Sequence, residues 1–285
     1  MTKSYYDISG QIDKAAVEII TDINKATKAL NIPYFLVGAI ARNIIDLIYG
    51  IRGGRLTEDI DFAINVSSWE EYNQLGNYLK SKHGYKQDNH RQHRFYNKKD
   101  MPVDIIPHGK IEDPKYSIRW PDTGFKMSTL GFEEVKEACL TVLIKTDPDL
   151  TIAIPTPASM AIMKLISWHE KYPERKKDAT DILHILNKYS DFGNFERFYF
   201  DHSDIIEESD YDFDCGFARM LGRDIAKIIK PASRKAILEI LEKELDEYSD
   251  YKLIRDMQTR LFLGNDEFDK IFELIKSLRK GLTEK

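Results

Sequence analysis

The chain has only two cysteines in 285 residues, Cys139 and Cys215, far apart and without a CxxC pair. That excludes a disulfide framework and a thiolate zinc site, and a reducing cytoplasm fits. Long apolar runs are also missing. None approaches the roughly 20 residues needed to span a bilayer, and the opening MTKSYYDISG lacks a basic-then-apolar signal pattern. Neither a membrane location nor export is expected. A net positive charge is missing as well: the balance is −5, which excludes a general nucleic-acid coat protein but leaves room for a local basic groove. Two nucleotide and metal signatures fail on single positions. Gly50-Ile51-Arg52-Gly53-Gly54-Arg55 lacks the Gly-Lys-Ser/Thr ending of a P-loop and reads as a mobile loop, and His169-Glu170 is followed by Pro173 where a zinc protease needs its second histidine. What remains is ordinary for a globular chain, with 42% hydrophobic and 31% charged residues, enough for two cores.

The most informative stretch runs from Phe35 into the strand that follows Thr57. Tyr34–Val37 reads as a buried strand, Gly38-Ala39 as a turn opening a helix to Tyr49, 50–56 as a loop, and the next apolar run as a strand carrying Asp59 and Asp61. Residues two apart on a strand point the same way. Asp59 and Asp61 are therefore expected to aim at one spot while Ile60 and Phe62 face the core. Taken alone, Asp-x-Asp also describes a solvated strand end whose charges discourage edge pairing. Three neighbours change the reading. Gly38 stands between strand and helix, where backbone N–H groups and the helix N-terminus can meet a phosphate. Arg42 lies one turn further along, within reach of phosphate oxygens. Asp104 adds a third acid inside the apolar run Met101–Pro107, where an unpaired carboxylate is costly to bury. Oxygen-only ligands of this kind suit Mg2+ or Mn2+.

Around this core, residues 11–30 show one apolar stripe at helical spacing, and Ser67 or Ser68 caps a helix reaching about Lys82. Lys80, Lys82, His83, Lys86, His90, Arg91, His93, Arg94, Lys98 and Lys99 form a basic segment of expected hairpins. It reads either as a solvated face or as a landing strip for an RNA backbone, with Phe95 or Tyr96 to stack on bases. Residues 116–154 mix strand-like pieces, Cys139–Ile144 and Thr151–Ile154, with turns, whereas helices are expected over 158–170, 174–188, 213–229, 232–247, 251–263 and 266–280. Residues 191–214 carry no clear pattern. Trp120 and Trp168 are expected core residues. The fold class is α/β (α+β), with a boundary near Pro155 and Pro157 that separates 1–156 from 157–285.

Gly38-Ala39-x-x-Arg42, Thr57-Glu58-Asp59-Ile60-Asp61-Phe62 and Val103-Asp104-Ile105 resemble the nucleotidyltransferase superfamily that shares its fold with DNA polymerase beta. Lys164-Leu165, followed by Arg175-Lys176-Lys177-Asp178-Ala179-Thr180-Asp181-Ile182-Leu183, makes the AbiEii-type, toxin-like nucleotidyltransferases of bacterial defence and toxin–antitoxin systems the most similar subgroup. The resemblance covers roughly residues 34–190. It implies a catalytic domain with a mixed sheet over 1–156 and a helical domain over 157–285 that closes the cleft.

It also implies that Asp59, Asp61 and Asp104 hold Mg2+ (or Mn2+), that an NTP is the substrate, and that Asp104 helps deprotonate an acceptor hydroxyl. Gly38, Ala39 and Arg42 would hold the β and γ phosphates, Lys164 would neutralise triphosphate charge, and Asp178 would position Lys164. The family turn is commonly Gly-Gly or Gly-Ser; with Gly38-Ala39 here, Thr57 is the candidate for the missing hydroxyl. The acceptor implied is the tRNA 3′ end, reached through the Lys80–Lys99 region, with growth inhibition as the outcome and a cognate antitoxin as a possible partner. Transfer to a protein or small molecule, and a nucleotide-sensing module without catalysis, are the alternatives. Asp-x-Asp phosphatases and glycosyltransferases fit less well, because Phe62-Ala63 follows the aspartates and Gly38 and Asp104 would have no role.

Overall fold

The computed structural model describes residues 5–52, 59–208, 212–258 and 264–284. Thr57 and most of the Gly/Arg loop, with the end of the helix expected over 251–263, lie outside the described residues. The chain divides into two compact units, Met1–Thr156 and Pro157–Lys285.

In the first unit the elements are β1 (Tyr5–Asp7), α1 (Lys14–Leu30), β2 (Tyr34–Val37), α2 (Gly38–Ile48), β3 (Ile60–Asn65), α3 (Trp69–His83), β4 (Lys86–Gln87), β5 (Arg94–Tyr96) and β6 (Pro102–His108). The remainder comprises β7 (Ser117–Arg119), β8 (Lys126–Ser128), α4 (Phe132–Glu137), β9 (Cys139–Lys145) and β10 (Leu150–Pro155). The main sheet has the order β2-β3-β6-β5-β4, in which only the β3–β6 pair is parallel. A parallel neighbour requires a crossover. It is supplied by α3, whose Ser68 accepts from the Glu71 N–H as N-cap and whose last turn ends at Gly84 in the left-handed region. The apolar stripe of α1 buries Ile19, Ile20 and Ile23, while Leu36, Phe62, Ile64 and Phe95 from the sheet are also fully buried. Trp120 joins this core at 1% exposure, in ring contact with Trp69, Tyr72 and His93.

Three stretches had no signal in the local pattern. Strand β1 pairs in parallel with β9, and three residues are too short to show alternation. Helix α4 spans less than two turns. Within 191–214 the chain kinks at Phe192-Gly193, with Gly193 in the left-handed region, and then forms α7 (Phe195–Asp201) and α8 (Ser203–Glu208), short helices near Phe198 and Phe217, whose rings stack at 4.2 Å.

The second unit is helical: α5 (Pro157–Glu170), α6 (Lys176–Lys188), α7, α8, α9 (Phe213–Ile228), α10 (Pro231–Glu244), α11 (Lys252–Met257) and α12 (Gly264–Thr283). α9 and α12 pack backbone to backbone. A Cβ on Gly222 or Gly281 would strike the facing main chain, so glycine at the crossing permits the approach. Among the described residues no helix is long and apolar enough to cross a membrane.

Candidate active site

Register brings the acids together. Asp61 on β3 lies directly opposite Asp104 on the parallel strand β6, and opposed residues present their side chains to the same face. Asp59 immediately precedes β3 rather than lying within it, and still sits two residues from Asp61 on an extended chain. A carboxylate oxygen from each of Asp59, Asp61 and Asp104 lies within 4.8 Å of the others. Ile60 and Phe62 are buried as alternation requires.

Register also brings in a cation. Arg94 on β5 pairs with Asp104, and its guanidinium donates from Nε to Oδ1 at 2.7 Å and from Nη2 to Oδ2 at 2.7 Å. Nη2 donates again to Oδ2 of Asp59 at 3.1 Å. This is the fork-on-fork geometry that arginine matches best. The Asp104 hydrogen bonds drive the Arg94 pKa further up against the opposing effect of burial. Behind the site, the Tyr72 hydroxyl donates to the carbonyls of Gln92 and Ile105. Burial first, then the Asp104 charge, pushes that phenol well above its ordinary pKa, so it stays a donor.

Gly38 closes the other side. Val37 pairs with Asp61, and the chain then turns into α2 with Gly38 at φ 73°. A Cβ at Gly38 would collide with Oδ2 of Asp61. The position therefore needs glycine both for its backbone and for space. The cap residue, Val37, supplies no side-chain hydrogen bond and the first turn holds no acid; a helix N-terminus of this kind suits anions. Ala39 is half-buried there.

Arg42 is buried. It is 8% exposed, and its Nη2 donates to Asn43 Oδ1 at 3.1 Å. The cation the fold sets against the acids is Arg94, which had been read as one member of a basic strip. Its only local hint was alternation: if Phe95 faces the core, Arg94 faces the other way.

The rest of that strip is divided. His83 meets Asp22 at 2.8 Å, Lys99 meets Glu18 at 2.5 Å and Lys80 donates to Gln87. Lys82, Lys86, His90, Arg91 and Lys98 are exposed. Phe95 is 1% exposed and packs near Gly76, so it offers no stacking surface, while Tyr96 is half-buried with its hydroxyl on Asp88.

In the helical unit Lys164 on α5 reaches across to α6. Its Nζ lies 2.8 Å from Asp178 Oδ1 and 2.7 Å from Asp181 Oδ2. Arg175 caps the group from outside with Nε 2.8 Å from Asp178 Oδ2. Burial raises the Asp178 pKa, but Lys164 and then Arg175 outweigh it and hold the carboxyl below its ordinary value. The nearby Trp168 is buried, its indole N–H donating to Asp256 at 3.0 Å.

The model of the family described as "Nucleotidyl transferase AbiEii toxin, Type IV TA system" matches residues 26–274. Among solved structures the chain is similar to an antibiotic-resistance factor, ANT(2″)-Ia, in complex with adenylyl-2″-tobramycin. Identity is 16%, the match covers 65% of this chain and 99% of that one, and the TM-score is 0.37. It is similar also to the Thermotoga maritima CCA-adding enzyme complexed with tRNA, at 13% identity over 96% of this chain and 82% of that one, TM-score 0.27. No curated protein sequence matches the chain significantly.

Proposed function

The chain belongs to the AbiEii family of nucleotidyltransferase toxins, and on that premise we propose that it moves a nucleoside monophosphate from an NTP to a hydroxyl on RNA, with the tRNA 3′ end as acceptor. The observation that carries the reading is the convergence of Asp59, Asp61 and Asp104 at the glycine-headed N-terminus of α2. The cluster fits a divalent cation such as Mg2+ or Mn2+: all donors are carboxylate oxygens, one from each of three acids, and Asp59 opens to solvent. When bound there, the ion supplies Lewis-acid charge against the triphosphate.

The chain's own groups do the remainder. Gly38 and the Ala39 amide receive the β and γ phosphates at the helix N-terminus. Arg42 contributes to the same phosphates only if its side chain leaves Asn43. Asp104 takes the proton from the acceptor hydroxyl, the hydroxyl oxygen bonds to the α-phosphorus, and the bond to pyrophosphate breaks. Lys164 neutralises triphosphate charge and Asp178 orients it. Exposed Lys82, Lys86, Arg91 and Lys98 are the RNA-backbone contacts of the Lys80–Lys99 region. The outcome is growth inhibition, countered by a cognate antitoxin.

A second reading, transfer to a protein or a small molecule, draws support from the ion pairs that offset part of the basic strip, His83–Asp22 and Lys99–Glu18. The test is incubation of the protein with each labelled NTP and Mg2+, together with purified tRNA, total RNA or a protein extract. Label on the tRNA 3′ end that is lost in Asp61→Asn is the expected result. Label on protein alone overturns the RNA acceptor, and no transfer at all overturns the reaction.

A further inference from the structure

We infer that Arg94 is the resident counter-cation of the Asp59–Asp61–Asp104 cluster, and that a divalent cation loads the site by displacing its guanidinium. The inference rests on the reading that these acids hold metal. Both oxygens of Asp104 accept from Arg94, and Asp59 Oδ2 accepts from the same Nη2. Two of the three expected metal ligands are thus already engaged by one positive group. A guanidinium does not give up its proton in a protein, so it can leave the acids only by moving. The side chain is 18% exposed, enclosed enough for its charge to be poorly screened and open enough to swing out. Its backbone is held in the β5–β6 pair, so the motion is one of rotamers. Without a metal the arginine offsets the repulsion of three clustered carboxylates. With a metal present, two cations share one set of oxygens and repel each other.

The test is Mn2+ binding to the full chain, followed by the paramagnetic resonance of free Mn2+, for wild type, Arg94→Gln, Arg94→Lys and Asp61→Asn. Glutamine can still donate to Asp104 but carries no charge, so Arg94→Gln is expected to bind Mn2+ about tenfold tighter or more. Lysine keeps the charge with fewer hydrogen bonds, so Arg94→Lys is expected to fall between wild type and Arg94→Gln. The Arg94→Gln melting temperature is expected to drop without metal and to rise with Mn2+ by a larger step than wild type. Equal or weaker Mn2+ binding by both variants, with wild-type binding still dependent on Asp61, overturns the inference and makes Arg94 a residue that orients Asp104. If Arg94→Gln does not fold, the direction of the Arg94→Lys shift decides. Wild-type Mn2+ binding unaffected by Asp61→Asn overturns the metal reading, and this inference with it.

Discussion

On the sheet of the first unit three carboxylates face one guanidinium; between α5 and α6 of the second, two carboxylates face Lys164 and Arg175. The side chains are of the same kinds, but the balance differs. In the helical cluster formal charge sums to zero, and Asp178 and Asp181 are 2% and 5% exposed. Such a group can stay dry because every charge has a partner. In the sheet cluster, among the described residues, three acids cluster beside Arg94, and Asp59 remains 38% exposed. Clustered carboxylates open to solvent suit a further cation. The contrast separates a largely buried, mutually paired cluster from an open one.

The largest effect expected is on transfer. Asp61→Asn removes one of the three clustered charges and should lower nucleotidyl transfer on the order of 10³-fold, while the melting temperature holds or rises because repulsion is relieved. A large loss of stability there would erase the distinction between the clusters. Lys164→Met removes the cation that touches both Asp178 and Asp181 and should cost about 3–5 kcal/mol of stability, read by thermal or denaturant unfolding. A loss under about 1 kcal/mol, the range of exposed pairs, would show the helical cluster to be open rather than closed. Gly38→Ala forces Asp61 aside and should lower transfer on the order of 10²-fold, with far less effect on the helical cluster.

Acid should separate the two units more gently. Burial, helped by Lys136, pushes the His108 pKa down from 6.5 to about 4. The unfolded chain takes up a proton below pH 6.5 that the folded one refuses until about pH 4, so stability is full above that window and falls through it. The loss is on the order of 3 kcal/mol. The Asp178 pKa is also shifted down, by Lys164 and Arg175 against burial, so its contribution holds until the pH drops below the ordinary carboxylate pKa and is then lost. His202 in the helical unit, shifted down by burial, acts in the same sense as His108. The check is therefore a pH series of melting curves for wild type and His108→Gln. The variant should lose the part of the slope between pH 6.5 and 4 that belongs to the first unit.

Much of this was readable along the chain. Alternation placed Ile60 and Phe62 inside and aimed Asp61 outward, the glycine before an apolar helical stretch marked the start of α2, and helical periodicity after Pro157 marked α5, α6 and α9 to within a residue or two. Phe95 was misjudged as a stacking surface because a two-residue partner strand, β4, and a helix cover it, and neither announces itself locally. Helical spacing offered Arg42 as a phosphate ligand; spacing does not say whether a side chain is buried, and this one is.

The sequence by itself determined the supply of acids, the turn at Gly38 and the helical character of the second half, since these depend on neighbours joined by a few covalent bonds. Only the tertiary structure decided that Asp61 lies beside Asp104 and that Arg94 reaches both Asp104 and Asp59. Strand register is set by which core faces match across distant segments. A slip of one residue would have turned Arg94 to the opposite face of the sheet.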